Sequence, residues 1–237
     1  LKQTKLNILS TRPLKEQLVK QAAEFNINID CKSFIETTPV LNKYIKNQIL
    51  SIADKNIIAV FTSMNAVEAV SKMITGITPP WDVYCLGNTT KELVKKNLKC
   101  NIIADATDAT SLAIKIITDA PGEVWFFCGD RRRDELPEKL LTNSIQVQEV
   151  IVYKTAAVHH IINSQFDGVL FYSPSAVESF FSVNKVGSST VLFAIGKTTA
   201  SAIENFSANK IIISSKPGKE EMVHQMLDYF RQQTVEK

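Results

Sequence analysis

The chain has 237 residues, enough for one large domain or two small ones, and 45% hydrophobic with 22% charged residues is the balance of a globular protein with a sizeable core. Its 27 basic and 24 acidic side chains leave +3, too small a surplus for non-specific binding to nucleic acid or a membrane surface. No apolar run approaches the roughly 20 residues of a transmembrane helix, and the N-terminus lacks a signal-peptide pattern. A cytoplasmic protein is expected, with no membrane or nucleic-acid partner. The first residue, Leu1, suggests that a few N-terminal residues are missing.

Short β-rich runs alternate with helical periods. Lys5–Ser10 reads as a strand, followed by a helix face of Leu14, Leu18, Ala22 and Phe25 with Pro13 in its first turn. Thr38-Pro39 reads as the start of a second helix with Leu41, Ile45, Ile49 and Ile52 on its inner stripe. The apolar runs Ile57–Phe61, Val83–Leu86, Ile102–Ala104 and Val124–Cys128 each precede a helical segment. Gly168–Phe171, Val191–Ile195 and Lys210–Ile213 follow, and a last helix carries Met222, Val223, Met226, Leu227 and Phe230. Such alternation predicts an α/β fold with parallel sheets. Asp30–Thr37 and Val147–Thr155 break the rhythm. In the second, Val147, Glu149, Ile151 and Tyr153 share one face of a strand and Gln148, Val150 and Val152 the other. Neither face is purely apolar, so the two stretches are read as paired linker strands between lobes.

The eight glycines are too dispersed to write G-x-G-x-x-G or G-x-x-x-x-G-K, which excludes the usual dinucleotide fingerprint and the P-loop. Cys31, Cys85, Cys100 and Cys128 show no C-x-x-C spacing and read as small buried hydrophobes. His159 and His160 would point to opposite faces of a strand, and Glu220 with His224 offers two ligands but no third. No metal site is expected.

The strongest internal signal is a repeat. Phe61-Thr62-Ser63-Met64-Asn65-Ala66-Val67-Glu68 aligns with Phe171-Tyr172-Ser173-Pro174-Ser175-Ala176-Val177-Glu178, and Leu86-Gly87-Asn88-Thr89-Thr90 with Ile195-Gly196-Lys197-Thr198-Thr199. Asn65…Glu68 and Ser175…Glu178 have capping-box-like spacing, while the glycines of the second motif permit a tight turn and its hydroxyls can cap the next helix. In open parallel sheets ligands bind beyond the carboxyl ends of the strands, where helix N-termini suit anions. Here those ends carry Ser10-Thr11-Arg12, Thr62-Ser63, Gly87-Asn88-Thr89-Thr90, Gly129-Asp130-Arg131, Tyr172-Ser173-Pro174-Ser175 and Gly196-Lys197-Thr198-Thr199. The set is hydroxyls, amides and a few cations, with no acid/base pair or activated nucleophile. It fits a polyanion held by many small contacts, although the same residues would also serve as plain helix caps. Arg131-Arg132-Arg133 is either a solvated face or the source of one anion-binding cation.

Phe61-Thr62-Ser63-x-Asn65-Ala66-Val67, Phe171-x-Ser173-Pro174-Ser175-Ala176-Val177 and Ile195-Gly196-x-Thr198-Thr199-Ala200, with Thr11-Arg12-Pro13 and Val152-Tyr153-Lys154-Thr155, resemble the uroporphyrinogen-III synthase family, in order and nearly throughout the chain. The resemblance implies two flavodoxin-like lobes. Residues 1–32 with 160–237 would form one and 38–148 the other, joined by a two-stranded linker of 30–37 and 147–156. It implies a cofactor-free, metal-free lyase of haem biosynthesis, acting as a monomer on hydroxymethylbilane. That linear tetrapyrrole loses its hydroxyl and closes with its D ring inverted through a spiro intermediate. Tyr153 is the implied catalytic residue, assisting the leaving hydroxyl. Thr11, Arg12, Thr62, Ser63, Asn88, Thr90, Arg131, Ser173, Ser175, Lys197 and Thr198 are the implied substrate contacts, with Ser63, Thr90, Ser173 and Thr198 at family positions lining the cleft. Tyr172 stands where Thr is common, Lys197 where Pro is common, and Ser215-Lys216-Pro217-Gly218 lacks the usual Pro-Thr. A two-lobed non-catalytic binding protein for a small polyanion shares the architecture, but its periplasmic type needs an export signal. A flavodoxin-like or receiver module needs a phosphate loop or an acidic cluster around a phosphorylatable Asp.

Overall fold

The computed structural model describes residues 5–216 and 218–235. In chain order the elements are β1 (Leu6–Ser10), α1 (Glu16–Glu24), β2 (Ile27–Cys31), β3 (Ile35–Pro39), α2 (Lys43–Leu50), β4 (Ile58–Phe61), α3 (Met64–Met73), β5 (Asp82–Leu86) and α4 (Asn88–Leu93). After a π-helical turn, Val94–Leu98, come β6 (Asn101–Ala106), α5 (Ala109–Asp119), β7 (Glu123–Gly129), α6 (Glu135–Thr142), β8 (Gln146–Ala157) and β9 (Gly168–Phe171). The chain ends with α7 (Pro174–Phe181), β10 (Val191–Ala194), α8 (Lys197–Glu204), β11 (Ile211–Ile213) and α9 (Lys219–Val235). Two compact units result, Leu1–Glu36 with Ala157–Lys237, and Thr37–Ala156.

In the first unit the sheet order is β11-β10-β9-β1-β2 and every pair is parallel. Numbered within the unit this is 2-1-3-4-5, the flavodoxin-like order. Its strands are short, and the central β9 and β10 are continuously apolar and buried at every residue, because helices cover both faces. One face packs Ile8, Leu170 and Phe193 against Leu18 and Ala22 of α1 and Met222, Val223 and Met226 of α9. The other packs Leu9, Val169 and Phe171 against Val177 and Phe180 of α7 and Ile203 of α8.

The second unit has the order β3-β8-β7-β4-β5-β6, with β8, β7, β4, β5 and β6 parallel. Helices again cover both faces, α3 and the π-helical turn on one, α5 and α6 on the other. The spatial order β8-β7-β4-β5-β6 corresponds to β2-β1-β9-β10-β11 of the first unit. In this match β4-α3-β5-α4-β6 is equivalent to β9-α7-β10-α8-β11, and β7-α6-β8 to β1-α1-β2. The second unit is therefore a circular permutation of the first, and the sequence repeat marks the half that both read in the same order.

Several elements differ from the sequence reading. α1 begins at Glu16, so Pro13 and Leu14 lie in the preceding loop. Thr38-Pro39 ends β3 instead of opening a helix; Asn42 caps α2 by accepting from the Ile45 amide at 2.8 Å, and Leu41 is exposed. Asp30–Thr37 is not one linker strand. Asp30 and Cys31 complete β2, paired with Leu9 and Ser10 of β1, and the fully buried Phe34 separates them from β3. β8 is a sheet strand as well, paired with β7 from Glu123↔Gln146 to Gly129↔Tyr153. Beside it, β3 runs antiparallel, since the Val40 amide donates to the Val152 carbonyl while the Val158 amide donates to that of Phe34.

Candidate functional site

A doubly wound sheet opens a crevice at its carboxyl edge where the strand order reverses. In the first unit that point lies between β1 and β9, which end in Ser10-Thr11-Arg12 and Tyr172-Ser173; in the second it lies between β4 and β7, which end in Thr62-Ser63 and Gly129-Asp130. The topology thus places two pairs of the sequence-selected loops at the switch points of the two sheets.

In the first unit Thr11 is fully buried, and both its amide (3.0 Å) and its hydroxyl (2.8 Å) donate to the Leu170 carbonyl. It ties β1 to β9 and its hydroxyl donates inward, a correction to its reading as a substrate contact. Ser10 donates to the Arg12 carbonyl at 2.6 Å, fixing the turn that carries the half-buried Arg12. Lys219, the first residue of α9, donates to the Pro13 carbonyl at 2.9 Å. Burial, reinforced by Arg12, holds its ammonium below the usual lysine range. Tyr172 packs on the α1/α9 face, where its hydroxyl is buried without a hydrogen-bond partner and burial raises its pKa. Ser173 caps α7, accepting from the Ala176 amide at 3.2 Å, and Ser175 is half-buried in the first turn.

The second unit is built alike. Ser63 caps α3 by accepting from the Asn65 amide at 3.2 Å, and Thr62 beside it is half-buried. The caps are therefore Ser63 and Ser173, two residues before the Asn65 and Ser175 expected from box spacing. At the Gly87 and Gly196 loops the glycines are themselves the N-caps and no side chain caps the helix, another departure from the sequence reading. Asn88 and Lys197 are exposed in the first turns of α4 and α8. The threonine pairs split: Thr89 and Thr198 are exposed, whereas Thr90 (4% exposed) and Thr199 (2%) face the core. Thr198 is thus the exposed member of its pair, and its equivalent in the other unit is Thr89. Thr90 is a core residue.

After β7, Arg132 is committed to Glu149, with its Nε 2.5 Å and its Nη2 2.8 Å from the carboxylate, and to Asp134. Arg131 beside it is exposed. Tyr153 lies opposite Gly129 and packs against the α3 face of the sheet. Strict alternation would have set it on the face opposite Val152. The register instead jumps from Cys128↔Ile151 to Gly129↔Tyr153, and this bulge brings both residues into one core cluster.

Lys219 was not selected from sequence, and Tyr172, Gly129 and Thr89 stood in the strand-end segments without being singled out as contacts. Only Thr89 had a signal, since the repeat aligns it with Thr198. Pro217, within the departure at 215–218, lies outside the described residues. Among the described residues no three His, Cys, Asp or Glu side chains gather as metal ligands, and no helix is long and apolar enough to cross a membrane. Cys85, Cys100 and Cys128 are buried free thiols, pushed up by burial to about 11, 11 and 12.

The family model described as uroporphyrinogen-III synthase HemD matches residues 16–224. A uroporphyrinogen-III synthase of Saccharomyces cerevisiae is 27% identical over 163 residues, 57% of this chain; the match spans 59% of the yeast protein. The uroporphyrinogen-III synthetase structure from Helicobacter pylori is similar at a TM-score of 0.69 and 14% identity, over 94% of this chain and 99% of that one. A mutant uroporphyrinogen III synthase from Thermus thermophilus gives 0.64 and 13%, over 96% and 99%. The two structures share the α/β fold with its parallel sheets. With the family model matched from α1 into α9, the chain belongs to the uroporphyrinogen-III synthase HemD family.

Proposed function

We propose that this chain is a uroporphyrinogen-III synthase, a lyase of tetrapyrrole biosynthesis that removes the hydroxyl of hydroxymethylbilane and closes the ring with ring D inverted. The observation that carries this reading is the family match over residues 16–224. The recurrence of serine-capped and glycine-capped loops at the carboxyl edges of both sheets supports it. Hydroxymethylbilane carries eight carboxylates. Exposed helix N-termini with Asn88, Thr89, Lys197 and Thr198, and the switch-point residues Arg12, Thr62, Ser63, Ser173 and Ser175, supply the amides, hydroxyls and cations that such groups need. Arg131, at the end of β7, adds a further cation.

The bilane closes unaided to the wrong isomer, so the protein must select a folded substrate conformation and ease departure of the hydroxyl. A 100-fold preference needs only about 2.7 kcal/mol of differential stabilisation, within reach of positioning. Tyr153 is the catalytic residue in this reading. Its phenol donates a hydrogen bond to the departing hydroxyl. The protein acts as a cytoplasmic monomer on this small-molecule substrate. Incubation with enzymatically generated hydroxymethylbilane, followed by isomer analysis, tests the reading: the III isomer is expected, and the I isomer alone would overturn it.

A further inference from the structure

We propose that Gly129 is a positioning residue for Tyr153, and that its missing side chain is what lets the phenol sit at the carboxyl end of β7. The inference rests on the reading of Tyr153 as catalytic. A Cβ built on Gly129 would lie 2.4 Å from Cζ, 2.6 Å from Cε2 and 2.8 Å from the hydroxyl oxygen of Tyr153. All three are far inside van der Waals contact. The backbone at Gly129 is not in the left-handed region, so glycine is needed there for close approach alone.

Three features fix the same arrangement. The bulge at Cys128/Gly129 skips Val152 and sets Tyr153 opposite Gly129. The Asp130 amide donates to the Tyr153 carbonyl at 3.1 Å. The Asp130 carboxylate accepts from the Thr155 amide at 2.9 Å, clamping the strand on the far side of the tyrosine. The Cζ, Cε2 and hydroxyl of the ring therefore occupy the space where a Gly129 side chain would stand, beside the β4/β7 switch point. Gly129→Ala would push the ring away, and a displacement of about 1 Å from reacting atoms costs up to about 100-fold in rate.

The test is a double-mutant cycle on isomer-resolved turnover. Tyr153→Phe removes the hydroxyl but keeps Cζ and Cε2, so the Gly129→Ala clash persists in both backgrounds while the catalytic hydroxyl exists in one. Gly129→Ala is expected to lower kcat roughly 10- to 100-fold with KM nearly unchanged, and to lower it no further once Tyr153 is Phe. Equal losses in both backgrounds, or full activity of Gly129→Ala, would overturn the positioning role. If Tyr153→Phe alone keeps full activity, the reading of Tyr153 fails first and the inference falls with it. If Gly129→Ala folds poorly, Tyr153→Ala should restore its folded yield and melting temperature by removing the ring. Failure of that rescue would also overturn the proposal.

Discussion

Tyr172→Phe should stabilise the protein. The Tyr172 hydroxyl is buried without a hydrogen bond of good geometry; the Ser10 hydroxyl is close enough to offset part of the rise in its pKa, but its proton goes to the Arg12 carbonyl. Leaving such a group without a partner costs about 1–3 kcal/mol, and the substitution removes it while keeping the ring that packs on the α1/α9 core cluster. The void left is a single oxygen, so a net gain of about 1 kcal/mol is expected, or about 2–4 °C in melting temperature for a chain of this size. Burial raises the pKa of this phenol. Its un-ionised form is therefore favoured in the fold, and that contribution is lost as pH rises past the unfolded value of about 10. The gap between variant and parent should widen above that pH. Thermal and denaturant unfolding of both proteins at pH 7 and above pH 10 is the assay. A lower melting temperature for Tyr172→Phe at pH 7 would show that the hydroxyl has a partner and refute the reasoning.

Ser63→Ala and Ser173→Ala each remove an N-cap and should cost about 1 kcal/mol in unfolding experiments, with a smaller loss of turnover than Tyr153→Phe because binding is shared among many contacts. Thr89→Ala and Thr198→Ala should raise KM severalfold with stability unchanged, while the buried Thr90→Ala and Thr199→Ala should cost about 1 kcal/mol with KM unchanged. The buried Tyr84 donates to Asp119 at 2.5 Å, and its pKa is raised by burial and then by that carboxylate. Its contribution is full below pH of about 10 and lost above, so Tyr84→Phe should cost about 1 kcal/mol at pH 7 and progressively less in alkali.

The repeat was legible because β4-α3-β5-α4-β6 and β9-α7-β10-α8-β11 use the same serine and glycine caps at the same spacing. The equivalence of β1-α1-β2 with β7-α6-β8 was not, since a permuted order leaves no collinear motif and those junctions share no capping residue. β2 escaped notice because Ile27-Asn28-Ile29-Asp30 alternates polar and apolar at the sheet edge, whereas the central strands announce themselves as apolar runs. Pro39 misled in the other direction. Proline suits a strand end as well as a helix start, and Asn42 was the stronger cap signal. At the site, residue types were readable but orientation was not. Which threonine of each pair points outward depends on where the helix begins, and the face of Tyr153 depends on a bulge that no periodicity encodes.

The central claim, that this chain directs ring closure of hydroxymethylbilane, is tested most directly by following its conversion with and without the protein and resolving the uroporphyrinogen isomers. The account predicts faster consumption with the III isomer dominant, and a return toward the I isomer when Tyr153→Phe replaces the parent protein. Consumption at the unaided rate with only the I isomer formed, by a folded parent protein, would contradict it.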